Sequence, residues 1–441
     1  MSWMKWEKKM LAQSDLTRYF KIIQNKIPGQ LIIQMTDHCN ALCPQCGMRK
    51  TADFQRSILE VDKIKRYIDK AAENGVEAIS FTGGEPMLFF KQLVELIDHA
   101  AKAGIEYIRT GTNGYMLRYG KSEDEFQSRV RRVVDALAKT KLRNFWISID
   151  SADPKTHEEM RGFDGLIKGI EKVVPMFHEA GLYPSANLGI NRNLGGPRTM
   201  AIFQEPGQQD DQYLERFHDE FCAGFDRFYR FVKDMGFTTV NMCYPMSVGT
   251  GNDELASVYT ATSIDKVVNF SRQERVQLFN ALLQVVPQYR SELRIFTPLA
   301  SLYALKKQYQ EGKDLGYGCR GGVDFFFVDS KDGKTYPCGF RGDENLGDYD
   351  QLDMSAVDRN DTCNKCDWEC FRDPSFLFGP FLEGIRTPIS LFRKLKKEPL
   401  FFDLWRCDLA YYQACELFSG RKAPDYGKLQ NFLRERPSIL N

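Results

Sequence analysis

Short β-like apolar runs alternate with longer amphipathic ones between residues 31 and 245. The apolar runs predict six strands, at residues 31–36, 77–82, 106–111, 143–149, 184–190 and 237–243. The stretches between them have helical spacing, near residues 59–74, 91–104, 123–139, 164–181 and 212–235. Strands that alternate with helices predict an α/β fold with a parallel sheet and right-handed crossovers. Six such units are too few to close an eight-stranded barrel.

The composition narrows the class of protein. The chain has 441 residues, with 60 Lys and Arg against 59 Asp and Glu, and its net charge of +1 gives no sign of a nucleic-acid partner. No apolar run approaches the roughly 18 residues of a transmembrane helix, and the N-terminus lacks the apolar core of a signal peptide. These features predict a cytoplasmic protein. In that reducing compartment, the 12 cysteines are better explained as metal ligands than as disulfides.

Three cysteines follow the first predicted strand with the spacing C-x3-C-x2-C: Cys39, Cys43 and Cys46. A loop this short can place three thiolates around one iron–sulfur cluster, although clusters normally take four cysteine ligands. The remaining iron would keep an open coordination position, and open positions at metals carry out chemistry. The alternatives are a zinc loop or three buried structural thiols, but zinc sites usually add a second pair of ligands elsewhere.

The second predicted strand ends in the turn Gly83-Gly84-Glu85-Pro86. Two glycines allow a backbone to approach a ligand without a Cβ in the way, and Glu85 offers an acceptor for a cation. Alone, this turn would be ordinary. Together with the cysteine triplet, it resembles the radical S-adenosylmethionine (radical SAM) superfamily.

This resemblance implies a partial (β/α)6 barrel in which Cys39, Cys43 and Cys46 hold a [4Fe–4S] cluster. The methionine amino and carboxylate groups of SAM would chelate the unique iron, and the turn Gly83–Pro86 would meet the methionine ammonium. Reductive cleavage of SAM would then give a 5′-deoxyadenosyl radical that takes a hydrogen atom from the substrate. One position departs from the family: Gln45 stands where an aromatic residue usually precedes the third cysteine. The adenine side of the site is therefore expected to differ.

Polar residues at other strand ends are the next candidates, because ligands of parallel sheets bind at the carboxyl ends of the strands. Asn113 follows the third predicted strand, and Ser148 and Asp150 lie on one face at the end of the fourth. In radical SAM proteins such residues contact SAM or substrate, and Arg161 resembles an arginine that meets the SAM carboxylate. The alternative for Asp150 is a cap on the following turn. Asn187, on the fifth strand, is explained equally well by a structural role.

A second group of cysteines lies near the C-terminus, at Cys319, Cys338, Cys363, Cys366 and Cys370. An Asp-Gly hairpin signal between apolar runs separates the first two. The arrangement resembles the auxiliary-cluster module, called Twitch or SPASM, that follows the barrel in many radical SAM enzymes. The resemblance implies that the first four of these cysteines bind one auxiliary [4Fe–4S] cluster. Cys370 is the candidate to replace Cys363.

A second auxiliary cluster would need further thiols. Cys407 and Cys415 would complete the seven cysteines of a full SPASM domain, but they lie on nearly one face of a predicted helix, and the spacing after Cys363 does not match. Buried free cysteine is common, so one auxiliary cluster is favoured and two is the alternative. Cys222 and Cys243 are interpreted as core thiols.

Four regions are predicted: an N-terminal helical extension (1–30), the partial barrel (31–300), the auxiliary domain (301–375) and a helical tail rich in aromatic and basic residues (376–441). Residues 192–212, rich in Gly, Pro and Gln, form a long loop that predicts a substrate lid. The tail resembles a segment that lies on a membrane surface. The favoured interpretation is that it covers the barrel mouth or the auxiliary domain.

The predicted function is that of a radical SAM oxidoreductase. Hydrogen abstraction would lead to a two-electron oxidation or to bond formation, with the auxiliary cluster accepting an electron. The expected partners are a small-molecule, lipid-like or peptide substrate and an electron donor such as flavodoxin or ferredoxin. The alternatives are a peptide or protein maturase that forms a cross-link, a SAM-dependent methyl or group transferase, and an iron–sulfur carrier. The sequence identifies no catalytic base.

Overall fold

The structure is a computed structural model that describes residues 23–47, 55–120, 122–245, 258, 265–312 and 314–434. Most of the predicted N-terminal extension, residues 1–30, lies outside these ranges. The predicted domain boundaries at residues 300 and 375 both fall inside helices. The four predicted regions therefore do not end where regular structure ends.

One parallel sheet organises the described part of the chain. Its strands are β1 (Gly29–Thr36), β2 (Val76–Gly83), β3 (Tyr107–Thr112), β4 (Asn144–Ser148), β5 (Ser185–Gly189), β6 (Thr239–Cys243), β7 (Arg294–Ile295), β8 (Phe325–Val328) and β9 (Thr335–Tyr336). They lie in the order β7-β6-β5-β4-β3-β2-β1-β8-β9. All six predicted strands are confirmed as β1 to β6, and so is the α/β class. The sequence missed β7, which has two residues and is too short to show a pattern.

The helices follow the strands in the predicted alternation. They are α1 (Val61–Glu73), α2 (Phe90–Lys102), α3 (Glu123–Lys139), α4 (Pro154–Arg161), α5 (Leu166–Glu179), α6 (Pro197–Met200), α7 (Asp211–Asp234), α8 (Arg272–Tyr289), α9 (Leu299–Glu311), α10 (Glu369–Arg386), α11 (Pro388–Lys397), α12 (Pro399–Ala414) and α13 (Tyr426–Arg434). The five predicted helical stretches are confirmed as α1, α2, α3, α5 and α7. Several begin at a side-chain cap; Asp210, for example, accepts the amide of Tyr213 at 2.7 Å.

The hairpin β8–β9 joins the barrel sheet. Phe327 pairs with Tyr336 across the predicted antiparallel hairpin, and the Asp-Gly turn places Gly333 at a φ of 67°. Strand β8 also pairs in parallel with β1, with Phe326 opposite Leu31. The auxiliary cysteines therefore flank an extension of the same sheet that carries the first cysteine loop.

The two faces of strands β4 to β6 differ in burial. Residues that face the helices, such as Ile147, Leu188 and Met242, are fully buried and belong to the main core. Residues on the opposite face are half-buried: Trp146, Ser148, Asn187, Asn241 and Cys243. This second face is the interior of the partial barrel. Its polar character indicates a ligand site instead of a packed core.

The C-terminal tail closes the amino end of the barrel. The backbone of Gly420 pairs with residues just before β4 and β5: its amide donates to the carbonyl of Arg143 at 2.9 Å, and its carbonyl accepts from the amide of Tyr183 at 2.7 Å. Arg294 in β7 donates to the carbonyl of Ser419 at 3.0 Å. Residues 418–420 thus cover the end opposite the barrel mouth.

Helix α11 is the exposed part of the tail. Its side chains Ile389 and Phe392 are 69% and 58% exposed, and four basic residues follow within the helix or at its end. Helices α10 and α12, by contrast, contribute buried residues such as Phe376 and Phe401 to the core. In the described part of the chain, no helix is long and apolar enough to cross a membrane.

The segment predicted as a lid is anchored at its first residue. Arg192 forms a buried ion pair with Glu274 of α8 at 2.8 Å, and Tyr213 of α7 donates to the same carboxylate at 2.6 Å. The guanidinium also lies over the rings of Phe203 and Phe270. These contacts fix the start of the segment against two helices, and the lid stays a prediction for the residues that follow.

A buried ion pair attaches helix α12 to the barrel. Asp408 accepts from Arg290 at 2.7 Å and from the amides of Leu299 and Ala300, where α9 begins. Both charged side chains are fully buried. We expect Asp408→Ala to lower the free energy of unfolding by about 3–5 kcal/mol, because it leaves the arginine buried without its counter-charge. Urea unfolding measures this loss.

The matched control for Asp408 is Asp403 on the same helix. Asp403 pairs with Arg406 at 2.6 Å, but both side chains are about half exposed. Asp403→Ala is expected to cost less than about 1 kcal/mol. Equal losses in the two variants would contradict the anchoring role of Asp408.

Candidate active site

The first cysteine loop and the glycine turn are joined by backbone hydrogen bonds. The amide of Gly84 donates to the carbonyl of Thr36, and the amide of Glu85 donates to the carbonyl of His38, each at 2.8 Å. Since β1 and β2 are parallel neighbours, their carboxyl ends bring the two motifs together. The motifs that lie about 40 residues apart in the sequence thus form one site.

The two glycines are required by the packing of the loop itself. A Cβ on Gly83 would overlap the carbonyl oxygen of Thr36, and one on Gly84 would overlap that of His38. The sequence explanation, close approach to a ligand, is therefore incomplete, since a side chain here would first push away the backbone before Cys39.

We expect Gly84→Ala to displace the cysteine loop. The added methyl group meets backbone atoms, which cannot rotate away, so the loss of stability should exceed about 2 kcal/mol. Urea unfolding and iron content after reconstitution measure the two effects. Gly120→Ala is the control, because nothing lies within 4 Å of the added methyl group. If Gly84→Ala keeps full stability and iron, the close packing has no such role.

Glu85 is a buried carboxylate that links the glycine turn to the end of β3. Its carboxylate accepts from the amide of Met87 at 3.0 Å, the hydroxyl of Thr112 at 2.9 Å and the amide of Asn113 at 2.6 Å. Burial raises the pKa of Glu85 to about 7, although these hydrogen bonds oppose the rise. A carboxylate has about four acceptor positions, so three partners leave room for one more donor.

Asn113 connects Glu85 to the cysteine loop. Its side-chain amide donates to Asn40 at 2.9 Å and lies 3.8 Å from the sulfur of Cys39. The amide of Ala41 donates to the same sulfur at 3.4 Å. Asn113 therefore orients the loop, and its side chain is already engaged within the protein.

A buried ion pair lies beside the three thiols. Arg161, at the end of α4, contacts Asp150 at 2.6 Å. Burial alone would lower the pKa of Arg161, but Asp150 and the thiolates of Cys39, Cys43 and Cys46 raise it above its ordinary value. The structure thus brings Arg161 and Asp150 together with the cysteine loop.

Gln45 and His157 complete the surroundings of Asp150. Burial raises the pKa of Asp150, while Arg161 and a hydrogen bond from Gln45 oppose the rise. The backbone amide of Asp150 donates to Nδ1 of His157 at 3.0 Å, and burial holds the pKa of that imidazole well below its usual value. Asp150 is not the helix cap; Asp153 has that role and accepts the amide of Thr156 at 2.8 Å.

The pKa values of the first-loop thiols favour the neutral form in the absence of a metal. Burial raises the pKa of Cys43 to about 12, against the opposing charge of Arg161. Burial also raises the pKa of Cys39. Metal binding releases the proton from a thiol, and Arg161 is the nearby cation that would compensate the resulting charge.

Four auxiliary thiols share one local geometry. The sulfurs of Cys319, Cys338 and Cys363 each accept the backbone amide two residues later, from Gly321, Phe340 and Lys365, at 3.4–3.5 Å. Cys366 accepts the amide of Trp368 in the same way. Cys319 and Cys363 also pair through their backbones, with the amide of Cys363 3.0 Å from the carbonyl of Cys319. These four thiols interact electrostatically with one another.

Cys370 has different surroundings. Its thiol donates to Glu369 at 3.2 Å, and Glu369 also contacts Cys243 of β6. Burial raises the pKa of Glu369 to about 7. The first turn of α10 therefore reaches the barrel interior. Cys370 packs against the same cluster as the other four thiols, but its own thiol is bonded to Glu369.

The remaining candidates also lie on the interior face. Ser148 is opposite Asn187, and Asn187 is opposite Asn241, whose side-chain amide donates to it at 2.6 Å. Cys243, interpreted from the sequence as a core thiol, is half-buried on the same face, and burial raises its pKa well above the ordinary value. Cys407 and Cys415 are fully buried in the main core.

Comparison with known proteins places this site in a family. The family model described as the radical SAM superfamily matches residues 33–198. The chain contains a radical SAM domain. The matched residues include the first cysteine loop, the glycine turn, and the ion pair of Asp150 and Arg161.

The chain is also similar to curated relatives. An AdoMet-dependent heme synthase of Methanosarcina barkeri is 23% identical over 326 residues, which are 72% of this chain and 79% of that protein. A GTP 3′,8-cyclase of Tolumonas auensis is 35% identical over 166 residues, or 37% of this chain and 42% of the cyclase. The chain thus spans less than half of the cyclase it matches.

Among solved structures, Streptococcus suis SuiB bound to S-adenosylmethionine is similar to this chain with a TM-score of 0.47 and 17% identity. The similarity covers 77% of this chain and 68% of SuiB.

The residues fit the groups that the radical SAM family uses. Three thiols beside a cation suit a cluster with one iron free for SAM, and four amide-bonded thiols suit a fully ligated cluster. Each cysteine of such a cluster binds its own iron, so the sulfurs need not meet at one point. Consistent with this, no group of His, Cys, Asp and Glu side chains among the described residues is arranged around a single metal ion.

Three interior residues were missed by the sequence: Arg109 on β3, Trp146 on β4 and Glu369 on α10. For Arg109 the available signal was that successive side chains of a strand point to opposite faces. Ile108 and Thr110, on either side of Arg109, are both buried on the other face. For Glu369 no signal existed, because its position depends on how α10 packs.

Proposed function

We propose that this chain is an enzyme that reductively cleaves SAM and abstracts a hydrogen atom from a substrate, with one auxiliary [4Fe–4S] cluster. The observation that carries the proposal is the direct backbone pairing of the cysteine loop with the Gly83–Pro86 turn. An electron carrier has no need for the second motif.

In this proposal Cys39, Cys43 and Cys46 hold the cluster that binds SAM. When bound, that cluster supplies the electron that splits SAM into methionine and the radical that attacks the substrate. Glu85 has one acceptor position left for the methionine ammonium, and Asp150 holds Arg161 where its guanidinium can meet the methionine carboxylate. Ser148 lies at the carboxyl end of β4, and Asn113 directly follows the carboxyl end of β3.

Cys319, Cys338, Cys363 and Cys366 are the proposed ligands of the auxiliary cluster. Their shared amide-to-sulfur hydrogen bonds support this set, because such bonds tune cluster potentials. Cys370, the predicted replacement for Cys363, is supported less, since its thiol is bonded to Glu369. The core positions of Cys407 and Cys415 favour one auxiliary cluster over two.

The proposed reaction is a net two-electron oxidation or a bond-forming step. An external one-electron donor such as flavodoxin or ferredoxin would supply the electron for SAM cleavage, and one hydrogen atom from the substrate would complete 5′-deoxyadenosine beside methionine. The auxiliary cluster held by Cys319, Cys338, Cys363 and Cys366 would supply the acceptor for the second electron of the substrate, and a base would take the proton. A cytoplasmic location is part of this proposal, because such donors act there.

The proposal gives the chemical class of the substrate. The heme synthase and the GTP cyclase are named for reactions on small molecules, which favours a small-molecule substrate over a lipid-like one or a peptide. The maturase and the methyl or group transferase remain the alternatives.

Product analysis tests the proposal. Anaerobic reconstituted protein with dithionite and SAM is expected to form methionine and 5′-deoxyadenosine. Formation of S-adenosylhomocysteine would instead favour methyl transfer. If neither product forms in wild-type protein that contains both clusters, SAM chemistry is not its function.

A further inference from the structure

Arg109 is a cation inside the barrel. Its neighbours Ile108 and Thr110 lie on the helix-facing side of β3 and are fully buried, so alternation directs Arg109 to the interior. The side chain as a whole is half-buried. Its Nε atom is completely buried and has no hydrogen-bond partner among the described residues.

No carboxylate in the described part of the chain pairs with Arg109. Burial lowers the pKa of this guanidinium, and the Cys370 thiol is the one group that opposes the shift. The acids of α10 are bonded elsewhere: Glu369 to Cys370 and Cys243, and Asp373 to Tyr244 at 3.3 Å. By contrast, the buried cations Arg161, Arg290 and Arg192 each have a carboxylate partner.

The interior around Arg109 also presents uncharged polar side chains. The indole of Trp146 lies directly over Gly111, two residues farther along β3, where any side chain would overlap it. Asn187 and Asn241 face the same interior. Hydrogen bonds and electrostatic interactions link Asn187 to Cys243, Cys243 to Glu369 and Cys370, and Cys370 to Arg109. A cation without a carboxylate partner among the described residues suits an anion.

An unpaired buried charge is unfavourable for folding. Such a residue is expected where a ligand completes the pairing, and Arg109 lies below the strand ends that hold the cysteine loop. We infer that Arg109 binds an anionic group of the substrate, a carboxylate or a phosphate, inside the barrel. This inference rests on the proposed function, because it assigns the interior to the substrate.

The first test uses stability and needs no substrate. In the reconstituted holoprotein, Arg109→Met is expected to raise the unfolding midpoint by about 2 °C, because it removes an unpaired buried charge. Arg290→Met is the matched comparison and should lower the midpoint, since it leaves Asp408 unpaired. A fall for Arg109→Met as large as that for Arg290→Met, or failure of this variant to fold, would show that Arg109 is structural.

The second test uses inorganic phosphate and succinate as probes, each compared with sodium chloride at the same ionic strength. One of the two anions is expected to raise the midpoint of the wild type by at least about 2 °C, and the more effective one indicates the chemistry. The shift should disappear in Arg109→Gln and persist in Arg131→Gln, which removes an exposed arginine of α3.

The inference fails if neither anion stabilises the wild type more than the chloride, or if the shift survives in Arg109→Gln. That failure is distinct from failure of the proposed function. The function is judged by 5′-deoxyadenosine formation in the wild type, whereas the inference is judged by anion-dependent stability. Either result can occur without the other.

Discussion

Replacing Cys39, Cys43 and Cys46 together with alanine is expected to reduce the iron content from about eight to about four per chain and to abolish 5′-deoxyadenosine formation. The three thiols are the protein ligands that the loop offers near Arg161 and the glycine turn. Loss of all three removes every protein ligand of that cluster, while the four thiols around β8 and β9 are unchanged. Anaerobic iron and sulfide analysis with EPR measures the result.

The EPR response to added SAM is a second measurement in the same experiment. Added SAM should perturb the EPR signal of the wild type and leave the signal of the triple variant unchanged, because only a cluster with an open iron can bind it. The control removes three other thiols, in the variant Cys222→Ala/Cys407→Ala/Cys415→Ala, and should keep about eight irons. If the loop variant loses no iron, the assignment of this site is wrong. If the control loses about four, Cys407 and Cys415 belong to a cluster.

Strand and helix positions could be predicted well because each element obeys a single local rule. Strand β4 alternates fully buried Phe145 and Ile147 with half-buried Trp146 and Ser148, and this alternation is visible in the sequence. Strand β7 has two residues and is defined by its pairing with β6. The same holds for the parallel pairing of β8 with β1, since register between distant segments leaves no local signal.

The candidate site was predicted as a set of residues but not as a network. Spacing located the cysteine loop and the glycine turn, and the resemblance to the family added Asp150, at a strand end, and Arg161. It did not show that Glu85 would bond to Thr112, Asn113 and Met87, because those partners come from another strand and the turn itself. Nor did it show that Gln45, the departure from the family pattern, would bond to Asp150. Side-chain partners across strands depend on packing and not on periodicity.

The end of the tail is placed by backbone pairing. The aromatic and basic runs between residues 376 and 406 predicted a cover for the barrel mouth or the auxiliary domain, and in the structure Phe378 and Leu382 pack in one cluster with Cys319 and Cys338. Residues 418–420, farther along the tail, complete the backbone hydrogen bonds at the amino ends of β4 and β5. Composition identifies a segment that packs, but the position of the packing is set by unpaired backbone groups elsewhere.

Replacing Cys363 with alanine is expected to remove about four irons and the second EPR signal. The sulfur of Cys363 accepts the amide of Lys365, and its backbone pairs with that of Cys319, so it belongs to the four-thiol set. Since the first cysteine loop is untouched, 5′-deoxyadenosine formation from SAM and dithionite should continue. Oxidation of the substrate should stop, because the substrate radical has no cluster to accept its electron.

Cys370→Ala is the matched variant, because Cys370 is close in sequence and also half-buried. Its thiol donates to Glu369, and no amide-to-sulfur bond like those of the other four is found for it among the described residues. We therefore expect Cys370→Ala to keep about eight irons. The opposite pattern, with iron lost in Cys370→Ala and kept in Cys363→Ala, would make Cys370 the fourth ligand. Helix α10 would then have to turn its first residues away from Cys243 and toward Cys319, which would also separate Cys370 from Arg109 in the barrel interior.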